Sequence, residues 1–438
     1  MSSIPDEVVV VEEGLDSNDY VVATYLFQGE AGEDMLSRTV SMAVEQTVGR
    51  GIFSMPEFHH LLGERGAKVL SIVPVPDHES RVSEDEDRAL GKAQEWLRYI
   101  VRVAFPVENT AYQIPMLINA TLSDSSLGGM IKLVDLVMPA KFIDKFQGPK
   151  FGMEGIRKMS NSLESRRPLI CTILKPSNGM TAKEASDIFY QHALGGTDFV
   201  KDDELMAYYG DIKVEDRVKA VMESEKRAFE QTGQRVSYFP NITDYPKRIK
   251  DNAMRAIEAG APGVMVTPLT IGIGTLQMLA EDPDITVPIF AHPGCLGSHS
   301  WSPDFGISEH IYIGKLFRLA GADMVAIPVP YGKFTHKREK FIKLFKMNGS
   351  PMRHIKPIFT QTGGGVDPIN AYPALQDIGN DVMLVAGGSI QAHPMGIPAG
   401  IRALRQTIQA YMDNMPLEEA AKQHPELKAA WEKWGPKK

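Results

Sequence analysis

A chain of 438 residues is longer than one hydrophobic core ordinarily serves, so at least two domains are expected. Its 43% hydrophobic and 23% charged residues are ordinary for a globular protein, and a net charge of -8 argues against nucleic acid or an anionic membrane as the main partner. Two cysteines, Cys171 and Cys295, imply no disulfide framework, and no apolar run approaches the roughly 18 residues that span a bilayer.

The N-terminal stretch MSSIPDEVVVVEEGLDSND is acidic and lacks the basic-then-apolar order of a secretory signal, so a cytoplasmic protein is expected. Tyr20 to Phe27 and Lys68 to Val75 are rich in β-branched residues and read as strands. Ala31 to Val48 reads as a helix. Glu95 to Pro106 and Gln113 to Thr121 read as further strands, although Glu95 to Val103 also fits a helix. Residues 1–148 are therefore assigned to a small α+β domain of ferredoxin-like type.

Across 149–438 the pattern changes. Short apolar runs recur, each ending in polar or glycine-rich residues and each followed by a helical stretch. PLICTILK, DFVK, VSYFPN, GVMVTP, VPIFAH, DMVAIP, PIFTQ and VMLVA reach Lys175, Lys201, Asn241, Thr267, His292, Pro328, Gln361 and Ala386, at intervals of 25 to 40 residues. A strand, a crossover helix and two loops need about that length, and eight such units close a parallel barrel. Thr181 with Glu184 three residues on is a capping box, and the helical stretch from Tyr245 ends at Gly260. Charged residues past Asn414 read as a peripheral helix. The fold expected is α/β, a C-terminal (βα)8 barrel behind the smaller domain. A doubly wound open sheet is the alternative, but KPSNGM is a poor phosphate loop for its first strand.

A parallel barrel gathers the C-terminal ends of its strands on one face, where active sites form. Those ends carry Lys175, Lys201, Asp203, Glu204, Asn241, Thr267 and His292. KDDE by itself is more often a solvated loop; at a barrel mouth, the Asp203–Glu204 pair suits a hard cation such as Mg2+. Gly363-Gly364-Gly365 and Gly387-Gly388 follow the last two runs, where unhindered backbone N–H groups can approach a phosphate and Thr362 can add a hydroxyl. Tight turns are the plainer reading of either glycine run.

FQGPKFGMEGIRK, TILKPSNGM, GGTDFVKDDE, NITD, FAHPG, GKLFRLAGAD, TQTGGG and AGGSIQAHPMG, in that order and spacing over most of the chain, resemble the RuBisCO superfamily. The resemblance implies that Lys201 reacts with CO2 to form a carbamate, which joins Asp203 and Glu204 in holding Mg2+. Burial would favour the neutral amine that this reaction needs. Lys175 matches the family's catalytic lysine, a proton donor or acceptor whose plainer reading is a structural ion pair. His292 matches an active-site histidine, Lys333 the mobile-loop lysine, and Glu45 the N-domain glutamate that reaches a neighbouring subunit's site. Asn241 is implied as a supporting residue or a substrate contact. A homodimer with its site at the subunit interface follows by the same resemblance.

Departures from the carboxylating pattern shape the expected reaction. KPSNG stands where carboxylating members carry KPKLG, so Ser177 replaces a lysine. Pro293 replaces a phosphate-gripping arginine, and Ala326 stands where a further phosphate-binding histidine is expected. Each charge-assisted phosphate contact contributes roughly 1.5–3 kcal/mol, so one end of a bisphosphate would be poorly held. A small phosphorylated sugar or sugar acid with one phosphate is therefore the expected substrate, handled by Mg2+-dependent enolate chemistry. The preference is for a 3-oxo sugar-acid phosphate decarboxylase of the 3-oxo-isoapionate 4-phosphate type. The alternative is an enolase or isomerase of a methylthio-pentulose phosphate, and a reading of another class is a non-catalytic metabolite-binding relic. Residual carboxylation is a third reading.

Overall fold

The computed structural model describes residues 7–30, 32–75, 96–334 and 336–436, so Ala31, Glu95 and the first six residues of the N-terminal stretch lie outside it. Two compact units are present. The smaller takes in the described residues up to Phe146 together with Cys295–Tyr312; the larger takes in Gln147–Gly294 and the described residues from Ile313. A single boundary near residue 148 is thus corrected in one respect. Cys295–Tyr312 belongs to the smaller unit because Gly306–Ile307 adds a parallel edge strand to its sheet.

In that unit β1 (Tyr20–Glu30) pairs antiparallel with β3 (Trp96–Pro106) and β4 (Ile131–Val137), and β2 (Lys68–Pro74) pairs with β3. The order β4-β1-β3-β2, with helix Met35–Glu45 after β1, is the ferredoxin-like arrangement. Trp96–Pro106 is a strand, settling the ambiguity of that segment. Gln113 to Thr121 is not a strand: it forms helix Ile114–Leu122. Pro115 sits in its first turn, and the buried Ile114, Leu117 and Thr121 recur at three to four residues, the helical period.

In the larger unit the parallel strands are β5 (Leu169–Ile173), β6 (Phe199–Lys201), β7 (Ser237–Phe239), β8 (Val264–Val266), β9 (Ile289–Ala291), β11 (Met324–Pro328), β12 (Phe359–Gly363) and β13 (Val382–Ala386), the edge strand Gly306–Ile307 being β10. These are the eight runs anticipated from the sequence. β13 pairs with β5, and the ring closes between β7 and β8 through a parallel bridge, where Ile242 N–H donates to Met265 O at 2.9 Å. Leu169, Cys171, Phe199, Phe239, Met265, Phe290, Met324, Phe359, Met383 and Val385 fill the ring as one buried cluster. Helix Gly152–Met159 adds Ile156 to that cluster and stacks Arg157 on Phe359, the first residue of β12. Asp323, just ahead of β11, accepts the N–H groups of Phe151 and Gly152 at 2.7 and 2.8 Å. The N-terminal end of the barrel is thereby closed, and chemistry is left to the other end.

The Thr181–Glu184 capping box opens helix Ala182–Leu194. Past Asn414 there are two helices rather than one, Leu417–Gln423 and Pro425–Trp434, divided because the residue before a proline resists helical geometry. No helix among the described residues is long and apolar enough to cross a membrane.

Two buried polar contacts tie helices to the barrel wall. Asp202, directly after β6, is fully buried and accepts from Arg217 Nε and Nη2 at 3.0 and 2.9 Å and from Tyr238 Oη at 2.8 Å. His192 Nδ1 lies 2.7 Å from Thr172 Oγ1 of β5, and burial pushes this imidazole down to about 4. Arg217→Met strands the Asp202 carboxylate, and chemical denaturation should show a loss of about 3–5 kcal/mol. For His192, the unfolded state binds a proton near the ordinary value of about 6.5 and the folded state resists it. Its contribution is present above that pH and lost as pH falls toward 4, by ~3 kcal/mol. A His192→Asn variant should show a correspondingly shallower loss of stability across that interval.

Candidate active site

Strand alternation sorts the residues at the barrel mouth. Phe199 and Lys201 of β6 lie on the inward side, and Lys201 is only 2% exposed. Its Nζ donates to Asp202 O at 2.9 Å, lies 3.7 Å from Met265 Sδ and sits 5.7 Å from the centre of the Phe290 ring. Burial in this apolar pocket lowers the amine's pKa, and the nearby Glu204 and Asp203 charges only partly oppose the shift. A lowered pKa raises the share of uncharged amine, the form that reacts as a nucleophile.

Asp203 follows at the rim, 3% exposed, and forms an ion pair with Lys175. Burial alone would raise its carboxyl, but the Lys175 bond and the Leu205 N–H at 3.1 Å hold it below the ordinary value. Lys175 Nζ also donates to Ser177 Oγ at 2.9 Å. Glu204 Oε2 is 3.4 Å from His292 Nε2, while His292 Nδ1 is buried with no hydrogen-bond partner. Burial first, and the Lys201 amine second, drive His292 well below the usual histidine value, so it is neutral. Thr267 Oγ1 is likewise buried and unpartnered. Lys175, Lys201, Asp203, Glu204 and His292 are thus brought together by β5, β6 and β9.

Other expected residues are placed differently. Asn241 is fully buried, and its side chain is spent inside the protein: Nδ2 donates to Met206 O at 3.0 Å and Glu204 O at 3.3 Å, and Oδ1 accepts from Thr243 N–H at 3.1 Å. Of the two roles expected of Asn241, these contacts are those of a supporting residue, since both ends of the amide already have partners. Thr362 shares strand parity with Thr360, which receives Asn348 Nδ2 from helix Arg338–Gly349 at 3.0 Å, and the Thr362 Oγ1 is buried with no hydrogen-bond partner. Gln361 faces inward with Phe359, in register with Ala326 and Met383. It is 2% exposed, its Oε1 has no partner, and its Nε2 meets only Met324 Sδ at 3.6 Å. In the sequence Gln361 is marked only as a strand end; the alternation from Phe359 is the signal that distinguishes it from Thr362.

Gly364 and Gly365 have φ of 84° and 104°, which only glycine adopts readily. The loop after β11 lies on them, with Val329 N–H on Gly363 O at 2.9 Å and Lys333 N–H on Gly364 O at 2.8 Å. A side chain at Gly365 would come within 2.7 Å of Lys333 N. Lys333 itself is exposed, its Nζ 5.0 Å from the Phe334 ring centre, and no hydrogen bond or ion pair joins it to the lysine–carboxylate cluster among the described residues. Around Gly388, which opens the short helix Gly388–Gln391, a side chain would meet nothing within 4 Å. Glu45 belongs to the smaller unit, where its carboxylate accepts from Arg50 N and Nε at 3.1 and 3.0 Å. Ser177, which stands in place of a lysine, and Asn178 beside it both make contacts in this neighbourhood.

Among the described residues no three carboxylate, imidazole or thiol side chains form a metal-holding group. Asp203 and Glu204 supply two hard oxygen donors, and a third anionic oxygen would have to be made on the buried Lys201 amine. The donor set fits Mg2+ on that condition.

Residues 155–434 match the ribulose bisphosphate carboxylase large chain, catalytic domain. The chain is 37% identical over 400 residues to a ribulose bisphosphate carboxylase-like protein of Archaeoglobus fulgidus, covering 91% of this chain and 89% of that one. It is 34% identical over 417 residues to a 2,3-diketo-5-methylthiopentyl-1-phosphate enolase of Bacillus licheniformis, covering 95% of this chain and 98% of the other. Among solved structures, a rubisco-like protein of Alicyclobacillus acidocaldarius superposes with a TM-score of 0.85 at 32% identity, covering 96% of this chain and all of that one. A lysine–carboxylate–histidine cluster on this barrel and a match along nearly the whole length lead to one conclusion: the chain belongs to the ribulose bisphosphate carboxylase large-chain family, among its RuBisCO-like members.

Proposed function

We propose that this protein is a Mg2+-dependent enolase acting on a phosphorylated diketone of the 2,3-diketo-5-methylthiopentyl 1-phosphate type. The observation that carries this reading is the end-to-end similarity to an enolase of that name, 34% identical with 98% of its length covered. It reverses the order of preference drawn from sequence, in which decarboxylation came first. The two reactions share an enolate, so the site's residues serve either; the relatives tip the choice.

Asp203, Glu204 and Lys201 as its carbamate would hold the ion. Bound there, Mg2+ would supply Lewis-acid polarisation of a carbonyl and so favour loss of a proton from the neighbouring carbon. With Asp203 given to the ion, Lys175 Nζ would lose that ion pair, while Ser177 Oγ, 2.9 Å away, would keep the amine at the mouth. In its neutral form that amine is the group offered to accept the carbon-bound proton. His292, neutral and with Nδ1 unpartnered, offers a second site for proton transfer to or from a substrate oxygen. The glycine runs after β12 and β13 are offered for the single phosphate. Gln361 presents an amide to a carbonyl or hydroxyl on the inward face of β12. Pro293 and Ala326 leave the far end of the substrate without a cation, which suits an uncharged tail.

Purified protein with Mg2+ and bicarbonate should convert 2,3-diketo-5-methylthiopentyl 1-phosphate to its enol, followed by ultraviolet absorbance. Absence of conversion, with CO2 released instead from a 3-oxo sugar-acid phosphate, would replace this reading by the decarboxylase. Lys175→Met should lower kcat by about 10²–10⁴-fold while calorimetry still shows Mg2+ binding. Lys201→Ala should abolish bicarbonate-dependent Mg2+ binding; retention of that binding would point to another ion site.

A further inference from the structure

The segment that carries the two carboxylates has no regular structure of its own. Asp203 to Ala207 lies outside every helix and strand; Asp203 and Met206 are buried, but Leu205 between them is 63% exposed. Two asparagine amides from different loops hold the backbone from Glu204 to Ala207. Asn241, after β7, donates to the carbonyls of Glu204 and Met206 at 3.3 and 3.0 Å. Asn178, in the loop after β5, donates to Leu205 O and accepts the Ala207 N–H at 3.1 Å. Three consecutive carbonyls and the amide that follows them are thus gripped by two side chains. Within the segment, Asp203 adds its own Oδ1 to Leu205 N–H and its carbonyl to Met206 N–H, both at 3.1 Å.

We propose that Asn178 is a positioning residue, one half of a two-sided amide clamp with Asn241 that holds the Asp203–Glu204 segment in the geometry needed to bind a divalent ion. This rests on the reading of Asp203 and Glu204 as ion ligands. A backbone that wanders must be ordered when the ion binds, and that entropy is charged against affinity; a clamp orders it beforehand. The KPSNG sequence thereby gains a meaning beyond loss. Where carboxylating members carry leucine in KPKLG, this chain has a side chain with a donor and an acceptor, and leucine can make neither bond. Asn241 is buried and also supports Thr243, so its removal would mix several effects. Asn178 is exposed, and its replacement opens no cavity.

The test uses Asn178→Leu in the full chain. Mg2+ titration by calorimetry in bicarbonate buffer, without substrate, should show about tenfold weaker binding than the wild type, with an unchanged melting temperature. Hydrogen exchange should be faster in the 203–207 segment and unaltered in β6 and β7. Wild-type Mg2+ affinity in the variant overturns the proposal, as does wild-type protection of the Ala207 amide. Should the melting temperature fall, Asn178→Ser, which keeps a short polar side chain unable to span both bonds, is expected to reproduce the weaker Mg2+ binding at wild-type stability; wild-type affinity there overturns it equally. If the wild type itself binds no Mg2+ in bicarbonate, the ion-site reading fails, and the exchange measurement still judges the clamp separately.

Discussion

On a strand of a parallel barrel only alternate side chains can point inward, and β6 shows what that constraint does to the sequence FVKDDE. Phe199 enters the apolar layer, and Lys201 extends into it from one step nearer the mouth. Asp202, of the opposite parity, leaves the mouth altogether and is consumed by Arg217 and Tyr238 in the wall. Asp203 returns to the rim. Two adjacent aspartates of identical chemistry are thus divided into a structural anchor and a candidate ligand by a period of two. The remaining elements can then supply a second lysine, a histidine and open glycine turns around a lysine whose burial lowers its pKa.

Electrostatics at the mouth follows from that placement. Lys201 is deep enough for burial to outweigh three neighbouring carboxylates. Asp203 is shallower, and there the outcome reverses: Lys175 and a backbone N–H outweigh burial and keep it ionised. The two lysines at these adjacent strand ends therefore meet different surroundings, Lys201 in apolar burial and Lys175 in an ion pair at the rim.

The departures from the carboxylating pattern do not all carry the same message. Pro293 and Ala326 remove polar reach from the mouth, and the half-buried Ala326 stands beside Gln361, whose amide oxygen is unpartnered. Leaving a buried amide oxygen unsatisfied costs about 1–3 kcal/mol, a penalty that a bound substrate would relieve. Ser177 and Asn178, by contrast, are engaged: one holds the Lys175 amine and the other the carboxylate-bearing segment. The loop after β5 has exchanged a second cation for hydrogen bonds that arrange the groups already present.

The eight strand runs, their spacing and the capping box at Thr181 were legible in the sequence, because hydrophobic periodicity and turn chemistry are local properties of the chain. So was the cluster of Lys175, Lys201, Asp203, Glu204 and His292, since a parallel barrel brings consecutive strand ends to one face whatever its details. Tertiary structure decided what depends on which way a side chain turns and what awaits it there. It turned Gln361 inward, spent the Asn241 amide on backbone carbonyls, made Gln113 to Thr121 a helix, and assigned Cys295–Tyr312 to the smaller unit. The Asn241 contacts and the edge strand Gly306–Ile307 join residues far apart in the chain and leave no mark in either local pattern, whereas the recurrence of Ile114, Leu117 and Thr121 and the alternation from Phe359 were local signals.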